Sequence, residues 1–573
     1  MEKWVISAKR ADFKEIAASF GIDQVTARLI RNRDIVGEEH IRKYLYGDRT
    51  CLYDPFLMKD MDKVTEILQE KIQERKKIRV IGDYDIDGVM STYILLTGLK
   101  GVGASVDHVI PDRMKDGYGL NENLIQQARE ENIDTIITCD NGIAASSQIQ
   151  RGKEMGMTIL VTDHHDIPFQ VIDGEKKELL PPADAVVNPK QEGCTYPFSG
   201  LCGAGVALKV MEALYRKMQP ERDIADELLE FAAIATVGDV MDLKDENRIL
   251  VKEGLKRLHK TSNLGLQELC RVNNLEPENI TPYHIGFVLG PCLNATGRLD
   301  TAKRALKLLC SDQREEASHL AGDLKSLNES RKELTAEGVE EAIALVEHTE
   351  LKNDSVLVVY LPECHESLAG IIAGRVREKY HKPTFVLTRG KEGVKGSGRS
   401  TESYSMFEKM SECGEYLTKY GGHPMAAGLS LEEKNIEPFR KKLNELSGLK
   451  PEDFVEKVTI DVPMPVNYIR KDLIQEMKLL EPFGKGNEKP LFAQKGLRIM
   501  DVRVFGKNRN VVKIKLADEM GYPMDGIYFG DGDLFLEEIR DKKTIAIVYY
   551  PEVNVYQGRE NLQVVIRYYR GEE

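Results

Sequence analysis

Asp83, Asp85 and Asp87 crowd into one short stretch, Asp83-Tyr84-Asp85-Ile86-Asp87-Gly88. Like charges this close repel, which argues against a purely structural role. A hard divalent cation is the natural counter-charge. Further acids recur in short turns downstream: Asp140-Asn141-Gly142, Asp163-His164-His165 and Gly238-Asp239-Val240-Met241-Asp242. Any one of these could be a solvated turn. Together they form a donor set of several carboxylates and one or two imidazoles. That mixture suits Mn²⁺ or Mg²⁺ better than Zn²⁺, which more often takes cysteine or several histidines. Two such ions bridged by one carboxylate are an arrangement for phosphoryl hydrolysis: one lowers the pKa of a bound water, and both stabilise charge on the scissile phosphate and leaving oxygen.

The elements that must hold these turns are legible in the hydrophobic pattern. Strands are expected at 77–81, 105–110, 134–139, 157–162 and 184–187, with helical stretches between the first four. Strands alternating with helices of 10–15 residues imply βαβ units and a parallel sheet. The acidic turns follow the first, third and fourth strands, at the sheet edge where open α/β folds bind ligands. An apolar helix at 228–237 delivers Gly238-Asp239. No GxGxxG follows the first strand, so a dinucleotide is not expected. The loop 111–119 carries Arg113, Lys115 and Tyr118; it reads as a phosphate contact with a base-stacking ring, or as an ordinary basic loop.

The chain divides by pattern into five stretches. Residues 1–75 form an N-terminal helical, accessory segment without evident chemistry. Residues 76–300 hold the parallel sheet and a helical extension, and 301–351 read as long connecting helices containing Asn328 and Arg331. Residues 352–448 form a second α/β unit, in which His365 precedes a helix rich in small residues. There Ser397 and Arg399 of Lys395-Gly396-Ser397-Gly398-Arg399-Ser400, with Gly421-Gly422-His423, offer hydroxyl, guanidinium and free amide groups suited to a phosphate. From 453 to 573 short alternating strands are expected at 458–462, 497–504, 511–516, 544–549 and 562–568, a small all-β barrel of the oligonucleotide-binding kind. Arg503, Lys507, Arg509, Lys513 and Lys515 interleave there with Tyr528, Phe529, Tyr556 and Tyr568. Cations tracking a backbone and rings stacking on bases hold single strands without reading sequence.

Composition bounds the partners. A length of 573 residues implies three or four domains, with ample apolar material for a core in each. The net charge of −13 does not describe a protein that coats duplex by bulk attraction, although it leaves room for a local basic groove. No apolar run approaches the ~18 residues of a membrane span, and the first twenty residues lack a signal-peptide core. Nine scattered cysteines without a CxxC pair argue against zinc or a disulfide framework and for a reducing, cytoplasmic setting.

The four acidic motifs resemble, in order, those of the DHH phosphoesterase superfamily. Gly421-Gly422-His423-Pro424-Met425-Ala426-Ala427-Gly428 is similar to the glycine-rich motif of its second domain, DHHA1. Leu480-Glu481-Pro482-Phe483-Gly484-Lys485-Gly486-Asn487 is similar to the segment preceding the oligonucleotide-binding (OB) domain in the RecJ family of single-strand-specific 5′→3′ DNA exonucleases. The resemblance covers nearly the whole chain. It implies a DHH domain, a DHHA1-type domain and an OB-fold. It implies Asp85, Asp87, Asp140, His164 and Asp239 as ligands of two Mn²⁺ or Mg²⁺ ions, with Asp140 bridging. Beside them Asp83, Asp163 and His165 are the candidate catalytic residues, expected to orient ligands, complete a shell or contact phosphate, with His165 alternatively a ligand itself. It implies Arg113, Tyr118, Arg298, Ser397, Arg399, Gly421, Gly422 and His423 as contacts to the 5′-phosphate and DNA. Cys292 stands where that family usually has arginine.

The function this resemblance implies is a single-stranded-DNA-specific 5′→3′ exonuclease that releases 5′-mononucleotides in DNA repair and recombination. Its expected companions are a single-stranded-DNA-binding protein and a helicase, and the expected state is a monomer away from membranes. The alternatives are a DHH-type oligoribonuclease or nucleotide phosphatase, and a non-catalytic single-strand-binding scaffold. The first group typically lacks the barrel; the second loses metal acids, and this chain keeps every one.

Overall fold

Lys77–Ile81, Thr135–Cys139 and Thr158–Thr162 are almost wholly buried, as strands covered on both faces must be. The computed structural model, which describes residues 2–112, 119–172, 174–391 and 393–572, joins them in a parallel sheet. Its order is Ser105–Val109, Lys77–Ile81, Thr135–Cys139, Thr158–Thr162, Ala185–Val187. Side-chain alternation splits the strands between two cores. Ile78, Val80, Ile137 and Leu160 face Ile86–Gly101 and the helices beyond it. Ile81, Ile136, Ile159 and Val161 face Glu122–Glu130 and Ser146–Glu154.

The apolar helices Gly203–Met218 and Leu229–Gly238 pack against Ile86–Gly101 and enclose the first core. A spine then connects this lobe to the next. Arg314–His348 is one helix of 35 residues, about 50 Å at the α-helical rise. Its early residues Ala317, Leu320, Ala321 and Leu324 belong to the first core, and its late residues Ala342 and Val346 to the second lobe.

The second lobe is a five-stranded sheet in the order Leu417–His423, Ala426–Leu431, Gly393–Arg399, Thr384–Gly390, Leu357–Tyr360, with only the last pair parallel. The third is a barrel of Val462–Pro463, Phe492–Phe505, Val511–Ala517, Pro523–Phe529, Arg559–Glu572 and Thr544–Tyr556. It closes where Phe492–Phe505 also pairs with Thr544–Tyr556. The fold class is thus α/β in two lobes with a C-terminal β-barrel. Among the described residues no helix is long and apolar enough to cross a membrane.

Three local differences from the sequence expectation have physical causes. The run expected as one strand at 458–462 breaks at Asp461, whose amide and carboxylate both bond to Leu491. Lys457–Ile460 pairs with Lys3–Ile6 instead, in parallel, and only Val462–Pro463 enters the barrel. Pro523–Phe529 is an additional barrel strand, its alternation hidden by Pro523, Asp525 and Gly526. The N-terminal residues serve two cores: Ala27, Leu29, Ile30, Tyr44 and Leu45 pack with the barrel, whereas Met61, Val64 and Leu68 pack in the first lobe.

Candidate metal centre

Each acidic turn is shaped by the strand that ends in it. After Lys77–Ile81 the chain reverses through Asp83 to Asp85, and Asp85 caps the Ile86–Gly101 helix by accepting from the Gly88 amide at 3.0 Å. Gly88 is obligatory there: a Cβ would lie 2.4 Å from the Asp83 carbonyl oxygen. After Thr135–Cys139, Asp140 takes the left-handed conformation at φ +60°, which aspartate tolerates. The next residue, Asn141, donates to the carbonyls of Ile81 at 3.1 Å and Cys139 at 2.9 Å, tying two strand ends together. Asp163 accepts from the amides of Ile143, His164 and His165, which fixes the third turn to the second.

These turns converge. Ligand atoms of Asp83, Asp85 and Asp140 lie within 4.8 Å of one another, as do those of Asp87, His164 and Asp239, and those of Asp140, His164 and His165. Asp140 and His164 are each common to two of these groups. Nε2 of His164 is 3.1 Å from Asp140 and 3.5 Å from Asp87. Asp83 and His165 therefore lie among the residues expected as ligands. Asp163 stands outside these groups and holds Nδ1 of His165 at 2.7 Å.

The electrostatics describe a nest of acids short of positive charge. Burial, then the charge of Asp85, push Asp83 up to about 8. Burial, then Asp87 and Asp85, do the same to Asp239. Asp85 is raised by burial and by Asp87. Asp140 is driven well above the carboxylate range by burial, with Asp87, Asp85, Asp163 and Asp83 adding. Asp163 is the exception: burial opposes its ionisation, but the hydrogen bond and charge of His165 outweigh it and hold the group low. Burial keeps His164 below its ordinary value, in the neutral form that ligates metals. Two buried atoms of the nest, Oδ2 of Asp83 and Nδ1 of His164, lack a hydrogen-bond partner. Oxygen-rich donors with one or two imidazoles, orphaned atoms and unrelieved carboxylate repulsion fit hard divalent cations.

The second lobe presents a matching set. Ser397 and Gly421 both pair with Gly428, and Arg399 and His423 both pair with Ala426. Directly paired residues share a sheet face, so Ser397, Arg399, Gly421 and His423 form a patch two rungs deep, with Gly422 between Gly421 and His423 on their own strand. The Ala369–Tyr380 helix passes close by: a Cβ on Gly370 would meet Arg399 at 2.9 Å. Arg399 donates to the Gly398 carbonyl and, among the described residues, forms no ion pair. Arg298 crosses from the first lobe to donate to the Ser367 carbonyl at 2.8 Å. Asp166, held low chiefly by Lys190, also feels His423. His365 is exposed, with its Nδ1 2.7 Å from the Ser367 hydroxyl. Arg113 and Tyr118 lie outside the described residues. Cys292 is fully buried between Asn273 and Asn328.

The single-stranded-DNA-specific exonuclease RecJ of Bacillus subtilis (strain 168) is 36% identical over 99% of this chain and 70% of its own length. The chain belongs to the RecJ family. Models described as the DHH family N-terminal domain, the DHHA1 domain and the RecJ OB domain match residues 77–236, 353–448 and 460–568. RecJ from Thermus thermophilus in complex with Mn²⁺ superposes with a TM-score of 0.84, at 27% identity, covering 100% of this chain and 80% of that one. The same protein in complex with Mg²⁺ gives 0.78 at 26% identity, covering 100% and 79%.

Against that RecJ framework, the sequence reading overlooked several supports. The amides of Gly203 and Ala204 hold Asp87 at 2.6 and 2.7 Å; the glycines of Cys202-Gly203-Ala204-Gly205 before an apolar helix were the available signal. The segment 479–488 docks on the Asp239 turn, where the Leu243 amide donates to the Lys485 carbonyl at 2.7 Å. Buried Arg248 pins it by donating to the carbonyls of Leu479 and Leu480, each at 2.8 Å, with its guanidinium over the Tyr44 ring. In sequence Arg248 reads as one more charge on a solvated helix.

Proposed function

We propose that this chain degrades single-stranded DNA from the 5′ end, releasing 5′-mononucleotides, with two Mn²⁺ or Mg²⁺ ions held by Asp85, Asp87, Asp140, His164 and Asp239. The observation that carries this reading is the place of Asp140, shared between a carboxylate group and an imidazole group, with Asp166 just beyond His165 feeling the charge of His423 from the second lobe. The names of the relatives support a single-stranded-DNA substrate and exonuclease activity. When bound, the ions would lower the pKa of a water and take up charge on the scissile phosphate.

The residues of the chain do the positioning. Asp163 fixes His165, and the Gly203 and Ala204 amides fix Asp87. Arg298, Ser397, Arg399, Gly421, Gly422 and His423 hold the 5′-terminal phosphate, with Arg113 and Tyr118 contributing from the first lobe. Water attacks the next phosphorus and the 3′ oxygen of the first nucleotide leaves. The remaining strand then carries a new 5′-phosphate, the group that the next cycle needs. A groove closed between two lobes admits one strand and excludes two. Asp83 completes the acidic nest beside Asp85.

The setting we propose is a reducing cytoplasm, in keeping with nine free cysteines. There the enzyme acts as a monomer in repair and recombination, downstream of a helicase and beside a single-stranded-DNA-binding protein. The test is a time course with Mn²⁺ on strands labelled at the 5′ or the 3′ end, with duplex and Asp140→Ala as controls. Early release of a labelled mononucleotide only from the 5′ label, with duplex spared and the variant inactive, is expected. Equal cleavage of a blunt duplex would remove the steric-exclusion argument, and strand retention without cleavage would make the chain a binding scaffold.

A further inference from the structure

Residues 282–299 form one continuous helical rod beside the metal centre: Pro282–His284, a π-helical stretch Ile285–Leu289, and Gly290–Leu299. Its inward residues Ile285, Leu289 and Leu293 are in the first-lobe core. Asn294 accepts from the Ile86 amide at 2.8 Å, within the first acidic motif. Gly286, Gly290 and Arg298 line a small cavity of about 110 Å³ shared with Arg331 and with Ile371 of the second lobe.

Two large rings on this rod belong to no core. Tyr283 and Phe287 are each 64% exposed, and they stack on one another with centroids 4.9 Å apart and planes 28° from parallel. Rings that serve packing are buried; a pair that presents its faces to water is not explained by burial. π-Helical turns inside α-helices are rare and concentrate at functional sites, and this one carries both Phe287 and the cavity-lining Gly286. Phe287 precedes Arg298 by eleven residues, about 16 Å along the helix axis.

We propose that Tyr283 and Phe287 form a stacking platform for an unpaired base of the substrate strand, a few nucleotides inward from the terminal phosphate. This rests on the exonuclease reading and adds to it a binding site outside the metal centre and the barrel. The ligand class follows from the chemistry: a planar, uncharged π-face is recognised by stacking, whatever the base. A base inside a duplex has both faces occupied by its neighbours, so the platform favours single strands by a route independent of groove width.

The experiment uses the full chain with Mn²⁺, a long 5′-phosphorylated oligothymidylate and a 5′-phosphorylated dinucleotide. The variants are Tyr283→Ala/Phe287→Ala and the aromatic-conserving Tyr283→Phe/Phe287→Tyr. The alanine pair is expected to raise KM for the long strand by roughly 5- to 100-fold and for the dinucleotide by less than twofold, and the aromatic pair to restore the wild-type value. A parallel binding measurement in Ca²⁺ with 2-aminopurine placed at successive positions should show quenching at one inner position, lost in the alanine pair. Equal KM changes on both substrates, or quenching unchanged by the alanine pair, would overturn the platform. Sedimentation showing the wild type dimeric and the alanine pair monomeric would also overturn it, because a second copy would then cover the rings. If the wild type cleaves nothing, the exonuclease reading fails, while the quenching measurement still decides the platform.

Discussion

Gly203 donates its backbone amide to Asp87 at 2.6 Å, at the first residue of the Gly203–Met218 helix. The same glycine leaves no space on its other side, since a Cβ would fall 2.7 Å from the Asp140 Cβ and 3.0 Å from its Cα. One residue thus sets the separation of two expected ligands. Gly203→Ala must push Asp140 outward or tilt the helix start. We expect Mn²⁺ affinity to fall at least tenfold and stability by about 1–3 kcal/mol, read by calorimetric titration and by thermal melts.

Asp140→Asn separates the metal role from a structural one. With its ionisation opposed by burial and four neighbouring acids, the Asp140 carboxylate destabilises the metal-free fold. The isosteric amide removes that charge. In chelator the variant should be more stable than wild type by about 1–3 kcal/mol. Saturating Mn²⁺, which stabilises a site by about 2.7 kcal/mol at a hundredfold excess over Kd, should reverse the order, and strand cleavage should be lost. A variant less stable than wild type in chelator would contradict the repulsion argument.

Glu230 is buried in the Leu229–Gly238 helix and accepts from Thr261 at 2.8 Å, and burial pushes it from 4.5 to about 7. Below pH 4.5 the folded and unfolded chains both carry the proton, so the stabilising difference is fully present. Between 4.5 and 7 the unfolded chain ionises first, and the fold loses about 3 kcal/mol by pH 8. Urea melts of Glu230→Gln should therefore match wild type near pH 4.5 and show greater stability at pH 8. A constant offset across that range would refute the assignment.

Val240 closes the Asp239 helix end in the left-handed region at φ +57°, where glycine is usual. Its amide bonds the Val237 carbonyl and the Met241 amide bonds that of Thr236, so the cap is formed despite the β-branched side chain. Such strain costs about 1–3 kcal/mol and gathers at functional sites. Val240→Gly should raise metal-free stability by about 1 kcal/mol and, by loosening the Asp239 turn, lower Mn²⁺ affinity several-fold. Denaturant melts and titration together read this exchange of stability for function.

The parts of the site legible in sequence are those built from short-range signals. Apolar runs mark the strands, and the acids directly after them, such as Asp140 after Cys139, fall on the carboxyl edge by the rule for parallel sheets. What stayed hidden depends on groups distant in the chain. Nothing in Gly203 alone shows that it abuts Asp140, and nothing in Arg248 shows that its guanidinium ends among the carbonyls of 479 and 480. The same holds for strands: Asp461 hides a break, and the alternation of Pro523–Phe529 is masked by its own proline and glycine. Tyr283 and Phe287 read as core spacing at i and i+4; only their exposure reveals otherwise.

The pairing of Lys3–Ile6 with Lys457–Ile460 places the first strand of the chain beside residues made some 450 positions later. At ribosomal speeds of 5–20 residues per second, that partner emerges about 25–90 s after the strand itself. Through this interval the helices Gln24–Asn32 and Glu38–Tyr46 hold Leu29, Ile30 and Leu45 without the barrel residues that later cover them. The nascent chain therefore carries an unfinished apolar surface on these two helices until the barrel strands, made hundreds of residues later, arrive to cover it.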